Sequence, residues 1–202
     1  MKIFKCIFLC FTLLGFSCND DEDIWEIPLN SNNPVIENIT NEVKFKFYLL
    51  NEQGKPATSF KQGENFNFCL EMENQEKASN LRIVDDIYKL INDGFCKVIS
   101  QTKGVIGNPF MSVNCTDNFR TFPFYGEDKQ CKIIIPWIDK NQFFSSVPFC
   151  FDVAPQPVLA KGVYYTEFSH VFSFYIPPDS PDKLSSSKKI GPLTFKINFE
   201  IN

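Results

Sequence analysis

Hydrophobic and polar residues alternate along much of the chain, most regularly at its C-terminal end. Between positions 193 and 201 the apolar residues are Leu193, Phe195, Ile197, Phe199 and Ile201, and the polar ones are Thr194, Lys196, Asn198 and Glu200. Successive side chains of a β-strand point to opposite faces, so this period of two indicates a strand with one buried face. We therefore predict a core strand over 193–201, with Lys196 and Asn198 on its solvent-facing side.

The same period predicts two strands over 43–49 and 66–72, with Cys69 on the more polar face of the second. Shorter apolar stretches predict further strands over 81–84, 95–100, 119–124, 131–137, 148–153, 163–168 and 171–176. Ser169 and His170 separate the last two and predict a kink or bulge. The apolar run 133–135 is typical of a strand covered on both faces, and Pro136 is expected to end that strand or to mark a sheet edge.

One short helix is predicted among these strands. Apolar residues recur at helical spacing between Val84 and Ile91, and Asp85 or Asp86 can cap the first turn. An acid–base role for these two carboxylates is less favoured, because adjacent side chains at a helix start point apart. The Asn-Asp-Gly sequence at 92–94 is a typical stop. Turn-forming residues predict turns at 51–56 and 61–64, a loop over 104–109 and a long polar loop over 177–192.

Many short strands, frequent turns and a single helix predict an all-β fold in which two antiparallel sheets pack as a sandwich over 42–202. The inward-facing positions of a sandwich favour aromatic and β-branched residues. The 23 phenylalanines among 202 residues fit that architecture. A chain of this length can also bury a sizeable core.

The first 17 residues have the organisation of a signal peptide. Lys2 and Lys5 precede an apolar run of about 11 residues, which is too short to cross a bilayer as a helix. The run ends in small residues immediately before Cys18. This arrangement resembles a bacterial lipoprotein signal, which implies that Cys18 becomes the first mature residue and carries a lipid. The alternative is an ordinary secretory signal followed by a chance cysteine.

An acidic run follows Cys18, with the sequence Asn-Asp-Asp-Glu-Asp over 19–23. It resembles the acidic export signal of surface lipoproteins of the Bacteroidetes group. That resemblance implies a lipid-anchored protein of the outer membrane, exposed at the cell surface. Physically the run is a hydrated, self-repelling spacer, and it lacks the fixed turn of a calcium loop. We predict a tether over 18–41, in which Trp25 and Ile27 dock loosely, if at all.

Charge and histidine content exclude some classes of function. The net charge of -4 and the pI near 5.1 argue against nucleic-acid binding, which requires a basic surface. His170 is the one histidine, so multi-histidine metal sites and most histidine-based catalysis are excluded. A hydrogen-bonded or surface histidine is the favoured interpretation, because Ser169 is adjacent in sequence and cannot form a triad with His170.

Cysteine spacing favours free, packed thiols over a disulfide framework. Beyond the predicted signal and Cys18, five cysteines remain: Cys69, Cys96, Cys115, Cys131 and Cys150. An odd number cannot pair completely within one chain, and their spacing matches no zinc site. A catalytic cysteine would depend on His170 as its histidine base. We therefore predict no metal site, no cofactor and no catalytic residue.

Turn and strand sequences carry a further resemblance to known domains. The chain resembles the Ig-like sandwich domains of small Bacteroidetes lipoproteins and, more distantly, BsuPI-type proteinase-inhibitor-like domains. The resemblance covers 42–74 and 161–202. It is carried by Phe45-x-Phe47, Asn51-Glu52-Gln53-Gly54-Lys55-Pro56, Phe60-x-x-Gly63-Glu64-x-Phe66-x-Phe68 and Gly162-Val163-Tyr164-Tyr165. It implies an Ig-like antiparallel β-sandwich with one short helix.

These features favour a non-enzymatic cell-surface lipoprotein that acts as a binding or accessory module. Its partners would be the membrane, reached through the N-terminal lipid, and a protein or glycan ligand. One alternative is a proteinase-inhibitor-like protein, which requires an exposed rigid loop. Another is a glycan-binding module, in which aromatic side chains stack on sugars: Tyr48, Trp137, Tyr164, Tyr165 and Tyr175. The competing interpretation of these aromatics is core packing. A hydrolase would require two carboxylates about 5–9 Å apart in a cleft.

Overall fold

The computed structural model describes residues 24–75, 82–85, 87–110, 120–123, 130–138, 154, 156–176 and 186–202. The predicted signal peptide, Cys18 and the acidic run lie outside these ranges. So do Asp86, Cys115, Cys150 and the strand predicted over 148–153.

Two sheets pack face to face in the described part of the chain. Its strands are β1 (Ile24–Ile27), β2 (Val35–Thr40), β3 (Val43–Leu50), β4 (Ser59–Phe60), β5 (Asn67–Asn74), β6 (Arg82–Asp85), β7 (Val98–Ser100), β8 (Gly104–Gly107), β9 (Arg120–Pro123), β10 (Gln130–Pro136), β11 (Gly162–Ile176) and β12 (Ser186–Ile201). One short helix, α1, spans Ile87–Asn92. The predicted all-β sandwich with one short helix is therefore confirmed.

The smaller sheet has the strand order β10-β5-β3-β2, and all of its pairs are antiparallel. Period-two alternation sends Phe45 and Phe47 of β3 into the interior, where both are fully buried. The apolar run in β10 is buried on both faces, as predicted from 133–135. Pro136 ends β10, which is an edge strand, so the predicted role of this proline is also confirmed.

The larger sheet is built around the long antiparallel pair of β11 and β12. Its path is β1-β12-β11-β6-β9, while β4 pairs with β12, and β7 joins β11 to β8. The register of β11 against β12 shifts between His170 and Phe172, so the predicted bulge is confirmed. β1 and β4 run parallel to β12, an arrangement that the alternation pattern does not predict.

Aromatic rings fill the space between the sheets. Phe195 of β12 is fully buried, with ring centroids 4.9 Å from both Trp25 and Phe168. Phe45 and Phe47 of the opposite sheet lie 6.3 and 6.0 Å from the same ring. This cross-sheet contact gives the phenylalanines of the described strands a packing role, since each ring buries a large apolar area without an unsatisfied polar atom.

The predicted tether is wrong from Ile24 onward. β1 pairs in register with β12, from Ile24 beside Thr194 to Ile27 beside Ile197, and Ile27 is buried. β2 pairs with β3 along its whole length. Backbone hydrogen bonds to neighbouring strands hold these two segments, and such bonds leave little trace in the hydrophobic pattern. The sandwich therefore begins at Ile24 and not at position 42.

Two loop predictions also need correction. β8 lies within the predicted loop 104–109 and forms a hairpin with β7. β12 begins at Ser186, so the last part of the predicted loop 177–192 is strand, while 177–185 lies outside the described residues. The helix prediction is confirmed, because α1 ends at Asn92 directly before Asp93 and Gly94. Within the described ranges, no helix has the length and hydrophobicity needed to cross a membrane.

The outer face of β12 is more buried than its alternation suggests. Asn198 is only 8% exposed, and its side-chain amide donates to Glu26 Oε1 at 2.7 Å and to the Ile27 carbonyl at 2.9 Å. Lys196 forms an ion pair with the same Glu26 carboxylate at 3.1 Å. These two bonds lower the pKa of Glu26, with the larger effect from Asn198. The expected solvent-facing position of Asn198 is therefore wrong, because β1 covers it.

Candidate functional site

A polar groove of 670 Å³ lies at the end of the sandwich where β3 and β12 finish. We refer to it as the end groove. It is lined by Asn51, Glu52, Gln53, Ser59, Phe60, Lys61, Gln62, Gly63, Glu64 and Asn202. Two turns that the sequence predicts separately, 51–56 and 61–64, therefore form one surface with the last residue of the chain.

The first wall is the turn that follows β3. The Asn51 side-chain oxygen accepts hydrogen bonds from the backbone N–H groups of Gln53 at 3.1 Å and Lys55 at 2.9 Å. The backbone N–H of Asn51 donates to the Lys55 carbonyl at 2.9 Å. Gly54 has a φ of 70°, a conformation that favours glycine. The Asn51 side-chain oxygen takes the place of a backbone carbonyl as the acceptor of the turn, and it holds the wall in one conformation.

The second wall is the turn over 61–64, which is fastened to the end of β12. One Glu64 carboxylate oxygen accepts from the Lys61 N–H at 2.9 Å, and Gly63 supplies a φ of 87°. Gln62 N–H donates to the Asn202 carbonyl at 2.9 Å, and Asn202 N–H donates to the Phe60 carbonyl at 2.8 Å. The second wall is thereby an extension of the long β11–β12 pair.

A carboxylate and an amide join the two walls at the base. Glu52 Oε1 accepts from the backbone N–H of Asn65 at 3.0 Å, which links the first turn to the segment after the second. Asn65 is itself buried, and its side-chain oxygen accepts from Ile138 N–H at 2.7 Å. The relative position of the walls is therefore fixed by hydrogen bonds to backbone groups.

Three polar side chains of the end groove take no part in this framework. Gln53, Lys61 and Gln62 are exposed, and within the described residues their side chains form no hydrogen bond or ion pair. Two of them are amides, which both donate and accept, and the third is an ammonium group, which only donates. These three groups are available to a ligand.

The end groove lies away from the point where the N-terminal segment joins the sandwich. Ile24 pairs with Thr194, eight residues before Asn202 along β12. At about 3.3 Å per residue, this separation is about 26 Å. Because β1 runs parallel to β12, Ile24 is the end of β1 that lies farther from the groove, and Ile27 is the nearer end.

A second polar group, the outer-face cluster, lies on the outer surface of the smaller sheet. It consists of Tyr48, Cys69, Glu71 and Lys132 from three adjacent strands. The Tyr48 hydroxyl donates to Glu71 Oε1 at 2.6 Å, and the Lys132 ammonium contacts the same oxygen at 2.5 Å. Lys132 also lies 3.2 Å from the Tyr48 hydroxyl. Tyr48 and Cys69 pack with Leu50 and Ile134, which buries this patch despite its position outside the main core.

Burial and pairing shift the pKa values of the outer-face cluster. Burial alone would raise the pKa of Glu71, but hydrogen bonds from Lys132 and Tyr48 outweigh it and hold that pKa below its ordinary value. Burial raises the pKa of Tyr48, and it raises the pKa of Cys69 to about 12. The Cys69 thiol is therefore protonated and unreactive at neutral pH. The predicted polar face for Cys69 is the outer face, but the side chain is fully buried there.

His170 lies inside the fold, as the hydrogen-bonded interpretation predicted. It is 7% exposed, and its Nδ1 lies 2.7 Å from Asp93 Oδ2, immediately after α1. Ser169 projects to the opposite face of β11, where its oxygen accepts from the Thr194 hydroxyl at 2.9 Å. The adjacent serine and histidine therefore do not form a catalytic pair.

The aromatic side chains considered as sugar platforms are mainly packing residues. Tyr48, Trp137 and Tyr164 are buried. Trp137 Nε1 donates to the Pro157 carbonyl at 3.1 Å, and the Tyr164 hydroxyl donates to the Ala160 carbonyl at 2.7 Å. Tyr165 and Tyr175 are half-buried, and the Lys196 ammonium lies 5.6 Å from the Tyr165 ring centroid. None of the five lines the end groove.

Cys69 and Cys96 are free and buried, in agreement with the predicted packed thiols. In the part of the chain that the structure describes, no three histidine, cysteine, aspartate or glutamate side chains are grouped so as to hold a metal ion. Comparisons with known proteins returned no match to a family model, a curated protein or a solved structure. The end groove is therefore interpreted from its geometry.

Proposed function

We propose that this chain is a non-enzymatic binding module displayed on the outer membrane, and that the end groove is its ligand site. In this proposal Cys18 carries the lipid, the acidic run 19–23 is the spacer, and the Ig-like sandwich is the ligand-binding body. The observation that carries the proposal is a fixed framework that carries the side chains of Gln53, Lys61 and Gln62, which have no partner among the described residues.

The direction of the N-terminal segment supports display. Ile24 lies about 26 Å along β12 from Asn202, and it is the end of β1 that is farther from the groove. A lipid at Cys18 would then leave the end groove facing away from the membrane. The acidic spacer would add reach without binding to an anionic lipid surface.

Lipidation is tested by replacing Cys18 in the full-length protein. In a diderm bacterial host, Cys18→Ala should abolish labelling by an alkyne fatty acid and release the protein from the membrane fraction. Cys10→Ala is the matched control, since Cys10 lies inside the predicted signal, and it should remain lipidated. An unlabelled wild-type protein, or a Cys18→Ala variant that stays membrane-bound, would contradict the proposal.

A proteinase-inhibitor-like function is the second candidate, and the first wall of the groove favours it. The turn 51–56 is an exposed loop held rigid by its own hydrogen bonds, as an inhibitory loop must be. Glu52, Gln53, Lys55 and Pro56 are all exposed on it. The soluble body, residues 24–202, should then inhibit a serine or cysteine protease, and Lys55→Ala should weaken that inhibition. An inactive body in a panel of both protease classes would remove this candidate.

A further inference from the structure

We propose that the end groove binds a neutral, polyhydroxylated ligand, a saccharide, through the side-chain amides of Gln53 and Gln62. This inference rests on the proposed function and specifies its ligand class. It does not depend on aromatic stacking, because Phe60, the aromatic residue among those that line the groove, is only 2% exposed.

The unpaired amides match the hydrogen-bonding character of a hydroxyl group. Each glutamine amide offers two N–H donors and a carbonyl acceptor, and each hydroxyl both donates and accepts. Gln53 stands on the first wall and Gln62 on the second, so a ligand between them can be held from both sides. The Lys61 ammonium adds a donor for a hydroxyl or ring oxygen.

Two carboxylates complete the acceptor side of the groove. Glu52 uses one oxygen to accept from Asn65 N–H, and Glu64 uses one to accept from Lys61 N–H. Among the described residues, the second oxygen of each carboxylate has no donor. Each carboxylate is thus held by one hydrogen bond and keeps one oxygen as an acceptor for a sugar hydroxyl, in a charge-assisted hydrogen bond.

Charge disfavours an anionic ligand. The groove side chains carry two negative charges, on Glu52 and Glu64, and one positive charge, on Lys61. A phosphate or sulfate group would therefore meet net repulsion. A neutral ligand avoids this cost and can still bond the side chains of Gln53, Lys61 and Gln62.

Composition disfavours an apolar ligand or an apolar peptide anchor. Of the described residues that line the groove, Phe60 is the one large hydrophobic residue, and it is 2% exposed. Sites for apolar ligands are lined predominantly by hydrophobic side chains, and protein partners depend on buried anchor residues. The end groove offers neither, while its fixed walls reduce the ordering cost of binding a polar ligand.

The test is a binding screen of the soluble body, residues 24–202, against an array of neutral and acidic oligosaccharides, with titration calorimetry of the strongest binders. Wild type should bind neutral oligosaccharides in preference to sulfated or uronic ones. Gln53→Ala and Gln62→Ala should each weaken binding by about 3–10-fold, the loss expected for one or two hydrogen bonds. Gln75→Ala is the matched control, because this exposed glutamine lies at the opposite end of the sandwich.

The outcomes distinguish an error in the ligand class from an error in the proposed ligand site. The saccharide inference is overturned if no neutral oligosaccharide on the array binds, or if acidic oligosaccharides bind more strongly than neutral ones. If a protease or peptide bound instead and Gln53→Ala weakened that binding, the groove would remain the ligand site and only the ligand class would be wrong. Saccharide binding that is equally strong in Gln53→Ala, Gln62→Ala and Gln75→Ala would overturn both. Thermal melts of all variants verify that each is folded.

Discussion

The outer-face cluster and the end groove are both polar, yet their side chains are used differently. In the cluster, Glu71 is held by Tyr48 and Lys132, so the charged groups bind one another. In the groove, Asn51, Glu52 and Glu64 hold backbone groups, and three neighbouring side chains bind nothing within the described chain. Polar groups that are paired inside the fold contribute to stability, whereas rigidly presented unpaired groups are free to contribute to binding.

The largest expected effect tests whether the outer-face cluster is a packed region. Ile134 packs against Tyr48 and Cys69 of this cluster and is 7% exposed, and Ile134→Ala should lower the free energy of unfolding by about 2–5 kcal/mol. Ile39→Ala is the matched control, since Ile39 is 58% exposed in β2 and should change stability little. Chemical denaturation compares the two variants. Equal losses of unfolding free energy would mean that the outer-face cluster is not a packed region.

The ion pair of the cluster should produce the next largest effect. Glu71→Gln removes the charge from two short contacts and should cost about 1–3 kcal/mol at neutral pH. Lys132 is 46% exposed, so water screens part of its contribution. Glu73→Gln, two positions along the same strand, should cost less in the same denaturation experiment. The prediction fails if the two variants are equally stable.

The pH dependence of this loss has a definite sign. The pKa of Glu71 is lower in the folded chain than its ordinary value of 4.5. Its contribution is therefore fully present above that pH and is lost as the pH falls through the folded-state value. The stability difference between wild type and Glu71→Gln, measured by urea melts, should be constant near neutrality and shrink in acid. A difference that grows in acid would contradict the direction of the shift.

Asn198 is a buried amide that is paired inside the fold, in contrast to the exposed amides of the end groove. Asn198→Ala removes the amide donor to the Ile27 carbonyl and one of the two donors to Glu26, which keeps Lys196, and should cost about 1–3 kcal/mol. Lys196→Ala, on the same face of β12, should cost less because Lys196 is 28% exposed. Thermal melts measure both. A silent Asn198→Ala variant would show that β1 does not cover this position.

The smallest expected effect belongs to the end groove. Gln53→Ala and Gln62→Ala should each change the free energy of unfolding by no more than about 0.5 kcal/mol, because neither side chain has a partner in the described chain. Their effect should appear in ligand affinity instead. A loss of stability as large as that of Asn198→Ala would mean that these amides are structural and would erase the contrast with the cluster.

Local patterns in the sequence are sufficient for much of the fold. Alternation predicts β3, β5 and the 193–201 part of β12, and an Asn-Asp-Gly stop marks the end of α1, because these elements are specified by their own residues. β1 and β2 are missed because pairing with distant strands holds them in place. Ile24–Ile27 contains one buried residue, and its place in the sandwich depends on β12.

The candidate site is less accessible to sequence reasoning. Both of its turns are recognisable from their composition, but nothing local shows that Gln53, Gln62 and Asn202 lie on one surface. That juxtaposition depends on the parallel pairing of β4 with β12. The contacts of Glu71 with Tyr48 and Lys132 are equally non-local, since they arise from the cross-strand registers of β3, β5 and β10.

The most direct test of the central contrast is an NMR titration of the isotope-labelled soluble body with the best-binding neutral oligosaccharide. The side-chain amide resonances of Gln53 and Gln62 report on the groove, and the backbone amides of Tyr48 and Glu71 report on the outer-face cluster. We predict shifts at both glutamine side chains and along 51–56 and 61–64, with the cluster unchanged. Shifts centred on Tyr48 and Glu71, with Gln53 and Gln62 unmoved, would contradict the assignment of the end groove as the ligand site.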